Sequence, residues 1–155
     1  MAISMPSSIT GAAQTGLTTP TYTLIVDTSP DINAKQSVVS ALGGTQTGVD
    51  VHSVARPFSV SVFRPKSFAS LGKVNPVTGV LSGVGRNTYK CLTRKGVTPL
   101  AGQASQVSIC RTEIEIPAGA DTADAANVRA MLSAHIGLLQ QISAGLGDTA
   151  INGVL

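Results

Sequence analysis

The sequence predicts an α+β protein, with an antiparallel sheet first in the chain and a helical layer last. Three observations predict it. Residues 58–63 (FSVSVF) alternate small polar and apolar side chains with the period of a half-buried strand. Two longer β-patterns, 86–95 (RNTYKCLTRK) and 106–116 (QVSICRTEIEI), flank a turn-rich loop, GVTPLAGQAS, and suit an antiparallel hairpin. From about residue 121 to 146, Val128, Met131, Leu132, His135, Leu139 and Ile142 fall on one stripe at 100° per residue, the pattern of an amphipathic helix roughly 35 Å long.

The remaining elements follow in chain order. Residues 7–13 are a faint strand, 22–26 (YTLIV) a stronger one and 37–42 (SVVSAL) a third, punctuated by Pro20, Pro30 with Asp31, and Gly43 with Gly44. Pro57 and Pro65 bracket the fourth. Residues 67–85 form a long Gly/Ser-containing connection, within which 74–81 (VNPVTGVL) suggests a small hairpin. A register with Cys91 opposite Cys110 also sets Lys90 opposite Arg111, Thr88 opposite Glu113 and Arg86 opposite Glu115, placing the charged rows on one face. The other face then carries Tyr89, Cys91, Cys110, Thr112, Ile114 and Ile116. Pro117 and Gly119 end the β-region, Asp121 or Thr122 caps the helix, Gly145 and Gly147 stop it, and 149–155 (TAINGVL) adds a further helical turn or two.

Composition narrows the function. At 155 residues the chain, 1–155, is expected to be a single domain. With 43% hydrophobic residues but 3% aromatics and no Trp, its core relies on small aliphatic side chains, which favours an oligomer that covers part of its apolar surface. A formal charge of +3 is a modest basic bias compatible with a polyanion. No apolar run is long enough to span a bilayer, and the start lacks a cationic patch followed by an apolar stretch, so neither a membrane span nor a signal peptide is expected. Cys91 and Cys110, without CxxC spacing, and the two histidines, His52 and His135, predict no metal site, cofactor or disulfide framework. His135 reads as a packed interface residue and His52 as a loop residue without a partner. Asp121 with Asp124 and Glu113 with Glu115 are carboxylate pairs unaccompanied by a nucleophile, phosphate loop or metal cluster, and no enzyme is predicted.

From about Tyr22 onward the chain resembles the coat proteins of the single-stranded RNA (levivirus-type) phages. The resemblance rests on YTLIVD (22–27), SVVSAL, FSVSVFRP (58–65), NTYKCLTRK (87–95), RTEIEIP followed by RAMLSAHIGLL (111–139), and the final TAINGVL, in that order and spacing. It implies an N-terminal β-hairpin, a five-stranded antiparallel sheet and two C-terminal helices. Two subunits would interlock as a homodimer, each laying its helices over the partner's sheet, so that the stripe of Val128, Met131, Leu132, His135, Leu139 and Ile142 becomes the dimer interface. Dimers would build a T=3 icosahedral capsid in the bacterial host cytoplasm, package the phage genomic RNA in the virion, and bind a genomic hairpin as a translational repressor. Ser59, Ser61, Thr88 and Lys90 match the family's positions around an unpaired RNA base, Arg111 and Glu113 match polar positions of its hairpin site, and Arg86 lies on the same face, so all seven are expected to bind RNA. Ile109 departs from the pattern, standing where an aromatic residue stacks on a base in other members, and the 67–85 connection is longer than the family's. The loop 96–105 matches one that lies near symmetry axes. Without the resemblance, a solvated basic face, a dimeric RNA-binding regulator that forms no shell, and an exported pilin-like subunit would account for the same features.

Overall fold

The computed structural model describes residues 2–155. Six strands, β1 (Ser8–Thr10), β2 (Thr18–Asp27), β3 (Ala34–Thr45), β4 (Phe58–Phe63), β5 (Arg86–Val97) and β6 (Gln106–Pro117), form one antiparallel sheet in sequence order. Three helices follow: α1 (Ala120–Ala123), α2 (Ala125–Gln141) and α3 (Ser143–Asn152). The α+β class and the order of elements are as the sequence predicts. The strand count differs: a separate two-stranded hairpin and a five-stranded sheet would make seven strands, whereas six are present in one sheet, the β1–β2 pair (Ile9 opposite Tyr22) being continuous with it through β2 and β3.

The β5–β6 register differs too. Lys90 faces Glu113, Thr88 faces Glu115, Leu92 faces Arg111 and Arg86 faces Pro117, two residues from the register that aligns the cysteines. The change exchanges one charge pairing for another: Lys90 moves from Arg111 to Glu113, while Arg86 no longer stands directly opposite Glu115 but remains within 3.7 Å of it. A shift of two leaves every side chain on its expected face. Cys91 now faces Thr112 and Cys110 faces Thr93, and both thiols are free. Burial raises the Cys91 thiol above its ordinary pKa.

The long C-terminal helix is interrupted at Ile142, which ends α2 and begins α3, although its N–H still reaches the Leu138 carbonyl at 3.0 Å. Neither Asp121 nor Thr122 caps a helix. Gly119, at φ 88, precedes α1, and Asp124 precedes α2 with its carboxylate accepting from the Asn127 amide at 2.8 and 2.9 Å. Gly145 and Gly147 lie inside α3, which stops at Gly153 in the left-handed conformation. Gly147 permits a close approach: a Cβ there would displace the Gln14 amide. That amide fastens the β1–β2 turn to α3, donating to the Ser143 carbonyl at 2.8 Å and the Ser143 hydroxyl at 2.7 Å, while Thr15 donates to Asp148 at 2.9 Å.

The connection between β4 and β5 contains the expected small hairpin. Val74 bridges Leu81, and the Asn75 side-chain carbonyl accepts from the Val77 and Thr78 amides at 2.9 and 3.2 Å. Asn87, buried in β5, holds the connection by accepting from the Ala69 amide at 2.8 Å. His52 does have a partner: its Nδ1 accepts from the Phe58 amide at 3.0 Å and fixes the preceding segment to the start of β4. Arg56 pairs with Asp50 and donates to the Thr98 hydroxyl at 2.9 Å, anchoring the base of the β5–β6 loop.

The core is thin. Leu24, Val39, Leu92 and Ala118 are the buried apolar residues, and α2 buries none, its main neighbours being α1 and α3. The chain exposes 10682 Å², against about 7,300 Å² for a compact monomer of this mass.

Candidate nucleic-acid interface

Side chains that stand directly opposite in an antiparallel sheet share a face. Ser59 faces Val38 and Arg94, Ser61 faces Gln36 and Leu92, and Phe63 faces Ala34 and Lys90. With the β5–β6 pairs, this gathers Ser59, Ser61, Arg86, Thr88, Lys90, Arg94, Arg111, Glu113 and Glu115 on one side of β4, β5 and β6. All seven residues marked by the sequence as RNA-facing therefore emerge on a common polar face.

They are not equally available. Ser59 and Ser61 are only 5% and 3% exposed, forming the floor of the face between longer neighbours. The Ser61 hydroxyl donates to the Gln36 side-chain carbonyl at 2.9 Å, and the Gln36 amide donates to Asp27 at 2.7 Å. That polar chain crosses from β4 to β2 and was not legible in the sequence, where 34–36 carries no strand signal of its own. Asp27 is held below the usual carboxylate range first by the Gln36 hydrogen bond and then by the Thr28 amide.

The cations are exposed and partly matched. Lys90 lies 3.0 Å from Glu113, Arg86 3.7 Å from Glu115, and Arg111 4.0 Å from Glu113. The Lys90 hydrogen bond and charge hold the Glu113 carboxyl low. Arg94 and Arg64 make no ion pair among the described residues. A face of this kind can attract phosphates without neutralising itself, and exposed pairs exchange partners at little cost.

The opposite face carries Val60, Val62, Tyr89, Cys91, Thr93, Cys110, Thr112, Ile114 and Ile116. Both cysteines are exposed there, and the rest of that row is only half-buried among the described residues. The helix stripe is uncovered as well. Val128 and Leu132 are half-buried, His135 is exposed, and Met131, Leu139 and Ile142 are 49%, 37% and 44% exposed. Two apolar surfaces thus lie open, one on the sheet and one on α2. Among the described residues no cluster of His, Cys, Asp or Glu could hold a metal ion, and no helix is long and apolar enough to cross a membrane.

Among solved structures, the chain is similar to that of a virus-like particle of bacteriophage ESE020, with 56% identity, 99% of this chain and 100% of that chain covered, and a TM-score of 0.96. It is far less similar to virus-like particles of Beihai levi-like virus 32 (14% identity, 86% and 88% covered, TM-score 0.49) and Wenzhou levi-like virus 4 (16%, 84% and 74%, 0.46). No protein-family model and no curated protein matches the chain.

Proposed function

The chain belongs to the coat proteins of the single-stranded RNA bacteriophages, and we propose that, as a single domain, it forms an interlocked homodimer that assembles into an icosahedral capsid around the phage genome. It is a structural protein of the virion, in a family that is not enzymatic. The observation that carries the dimer is the uncovered apolar surface. The chain exceeds a compact monomer by about 3,400 Å², and two subunits each hiding most of that would bury, in total, an area at or above the top of the roughly 2,000–5,000 Å² class of obligate dimers. Laying the stripe of Val128, Met131, Leu132, His135, Leu139 and Ile142 over the partner's row of Tyr89, Cys91, Ile114 and Ile116 covers both open surfaces at once.

The polar face then looks toward the RNA. Ser59, Ser61, Arg86, Thr88, Lys90, Arg111 and Glu113 alternate outward from three adjacent strands, which lets them meet phosphates and an unstacked base together. In this reading dimers package genomic RNA, assemble in the host cytoplasm into a T=3 shell, and bind a genomic hairpin that represses translation.

Size-exclusion chromatography followed by negative-stain imaging of the full-length protein tests the assembly. Closed particles that release RNA on disruption are expected. A stable folded monomer at micromolar concentration would defeat the proposal, and a dimer that binds RNA but never forms shells would make the protein a regulator instead.

A further inference from the structure

We propose that His52 is a proton-operated clasp: in its neutral form it fastens residues 50–57 to β4 and, through them, both feet of the β5–β6 loop, and in its protonated form it lets them go. The backbone fixes the tautomer. The Phe58 amide can only donate, and it reaches Nδ1 of His52 at 3.0 Å, so Nδ1 carries the lone pair and Nε2 the proton. A proton added to Nδ1 sets two donors head to head and breaks that bond. Histidine is the side chain whose ordinary change of charge falls between about pH 5 and 8, and this one is half-buried at the joint between a loop and a strand.

What the clasp holds is the loop of residues 98–105. Arg56 donates to the Thr98 hydroxyl at 2.9 Å at one foot, and the Ser105 hydroxyl donates to the Ala55 carbonyl at the other. Beside them the Gly96 amide donates to the Pro57 carbonyl at 2.6 Å and the Lys95 ammonium to the Asp50 carbonyl at 2.7 Å. Each of these four ties ends on residues 50–57. That segment closes on itself in the turn between Ser53 and Arg56, whose backbones bond each other at 3.0 and 3.2 Å, and it reaches β3 through the His52 amide, 2.9 Å from the Val39 carbonyl. His52 thus joins the segment to β3 by its backbone and to β4 by its ring.

The charges around the imidazole balance. Asp27 on β2 is near enough for its charge and that of His52 to interact, and it favours the protonated ring. Within the segment Asp50 does the same, offset by Arg56, which pairs with it. Lys95 on β5, 4.7 Å from the centroid of the Phe58 ring, opposes a second cation. Tyr22 on β2 meets Phe58 edge to face, and burial raises its phenol further above this range, so it stays neutral. β4 carries no titratable side chain, and Lys35 of β3 lies at that strand's far end, opposite Val62. Two carboxylates against two cations leave the hydrogen bond to Phe58 to decide the outcome. The closed joint accepts only the neutral ring whereas the open one accepts either, so the clasp holds above the ordinary histidine range and weakens by up to about tenfold per pH unit below it.

Hydrogen exchange of the full-length protein, followed by mass spectrometry from about pH 8 to about pH 5 and corrected for the intrinsic exchange rate, tests the clasp. In wild type, protection of the His52, Phe58 and Gly96 amides is expected to fall by up to about tenfold per pH unit toward the acid end, while the β5–β6 ladder stays protected. His52→Gln, which keeps a neutral acceptor, is expected to hold these amides at every pH, and His52→Ala to leave them open at every pH. Asp27→Asn removes a carboxylate that favours the imidazolium and should move the loss to lower pH. The clasp is wrong if wild-type protection is the same at both ends of the range, if His52→Gln loses it as wild type does, or if the β5–β6 ladder opens together with these amides. Where His52→Gln fails to fold, Asp27→Asn decides: a loss at the wild-type pH or above it overturns the clasp.

Discussion

Lys90 and Glu113 stand directly opposite each other on β5 and β6, with Nζ 3.0 Å from Oε1. This pair depresses the Glu113 carboxyl, and a depressed carboxylate contributes stability above its unfolded pKa of about 4.3 that is lost as pH falls through its folded value. Lys90→Ala should therefore raise the Glu113 titration midpoint, followed by its carboxyl resonance in NMR. The stability difference between the two proteins should shrink as the solution is acidified below about pH 4.

The proposed RNA face depends on the same pair. Lys90→Ala should weaken RNA binding and reduce the salt slope by about one, because one phosphate contact releases about one counterion. Glu113→Gln should strengthen binding by removing a negative charge from the face. Ser61→Ala should alter affinity without changing the slope, its hydroxyl being uncharged and tied to Gln36. A Lys90→Ala protein with wild-type affinity and slope would return the basic row to an ordinary solvated surface.

In the proposed dimer the α2 stripe is buried, so Leu139→Asp should abolish soluble dimers, since a carboxylate there has no partner and its burial costs several kcal/mol. Chromatography and circular dichroism check the outcome. A soluble, folded dimer carrying Asp at this position would show that the α2 stripe is not the interface.

Short peptide insertions between Thr78 and Gly79 should be tolerated. Val77 is 90% exposed beside them, Gly79 has open space around it, and loop-closure cost grows slowly with length. Particles bearing the insert, counted by electron microscopy, are the expected result; soluble protein that forms none would place this hairpin in an assembly contact.

Gln14→Ala should lower stability by about 1–3 kcal/mol, because buried Ser143 loses both of the hydrogen bonds it accepts from the Gln14 amide. Gly147→Ala should destabilise wild type, yet cost much less in the Gln14→Ala background, where the obstructing amide is gone. Thermal unfolding of the four proteins in a double-mutant cycle measures the coupling.

Much of this was legible in the sequence. The 58–63 alternation, the β5–β6 hairpin and the partition of its faces need nothing beyond side-chain period, and they are present as expected. The register was legible in principle, since Lys90 against Glu113 is better than Lys90 against Arg111, but aligning the cysteines hid that signal. Three features had no local trace. Gly145 and Gly147 look like helix stops until Gln14 is seen against one of them. Ser59 and Ser61 look exposed until their larger neighbours are placed. The interruption at Ile142 follows no Gly or Pro, so nothing in the local sequence marks it.

The fastening of Gln14 to Ser143 and of Thr15 to Asp148 joins residues 129 and 133 positions apart in the chain. Closing a loop of that length directly from an unfolded chain costs on the order of 4 kcal/mol in chain entropy, more than two or three hydrogen bonds return. Once the six strands are laid down, the same closure spans little more than the helices. The latch is therefore a late event in folding and an early one in unfolding, set after the sheet and released before it. In time rather than in space, the two ends of this polypeptide meet last.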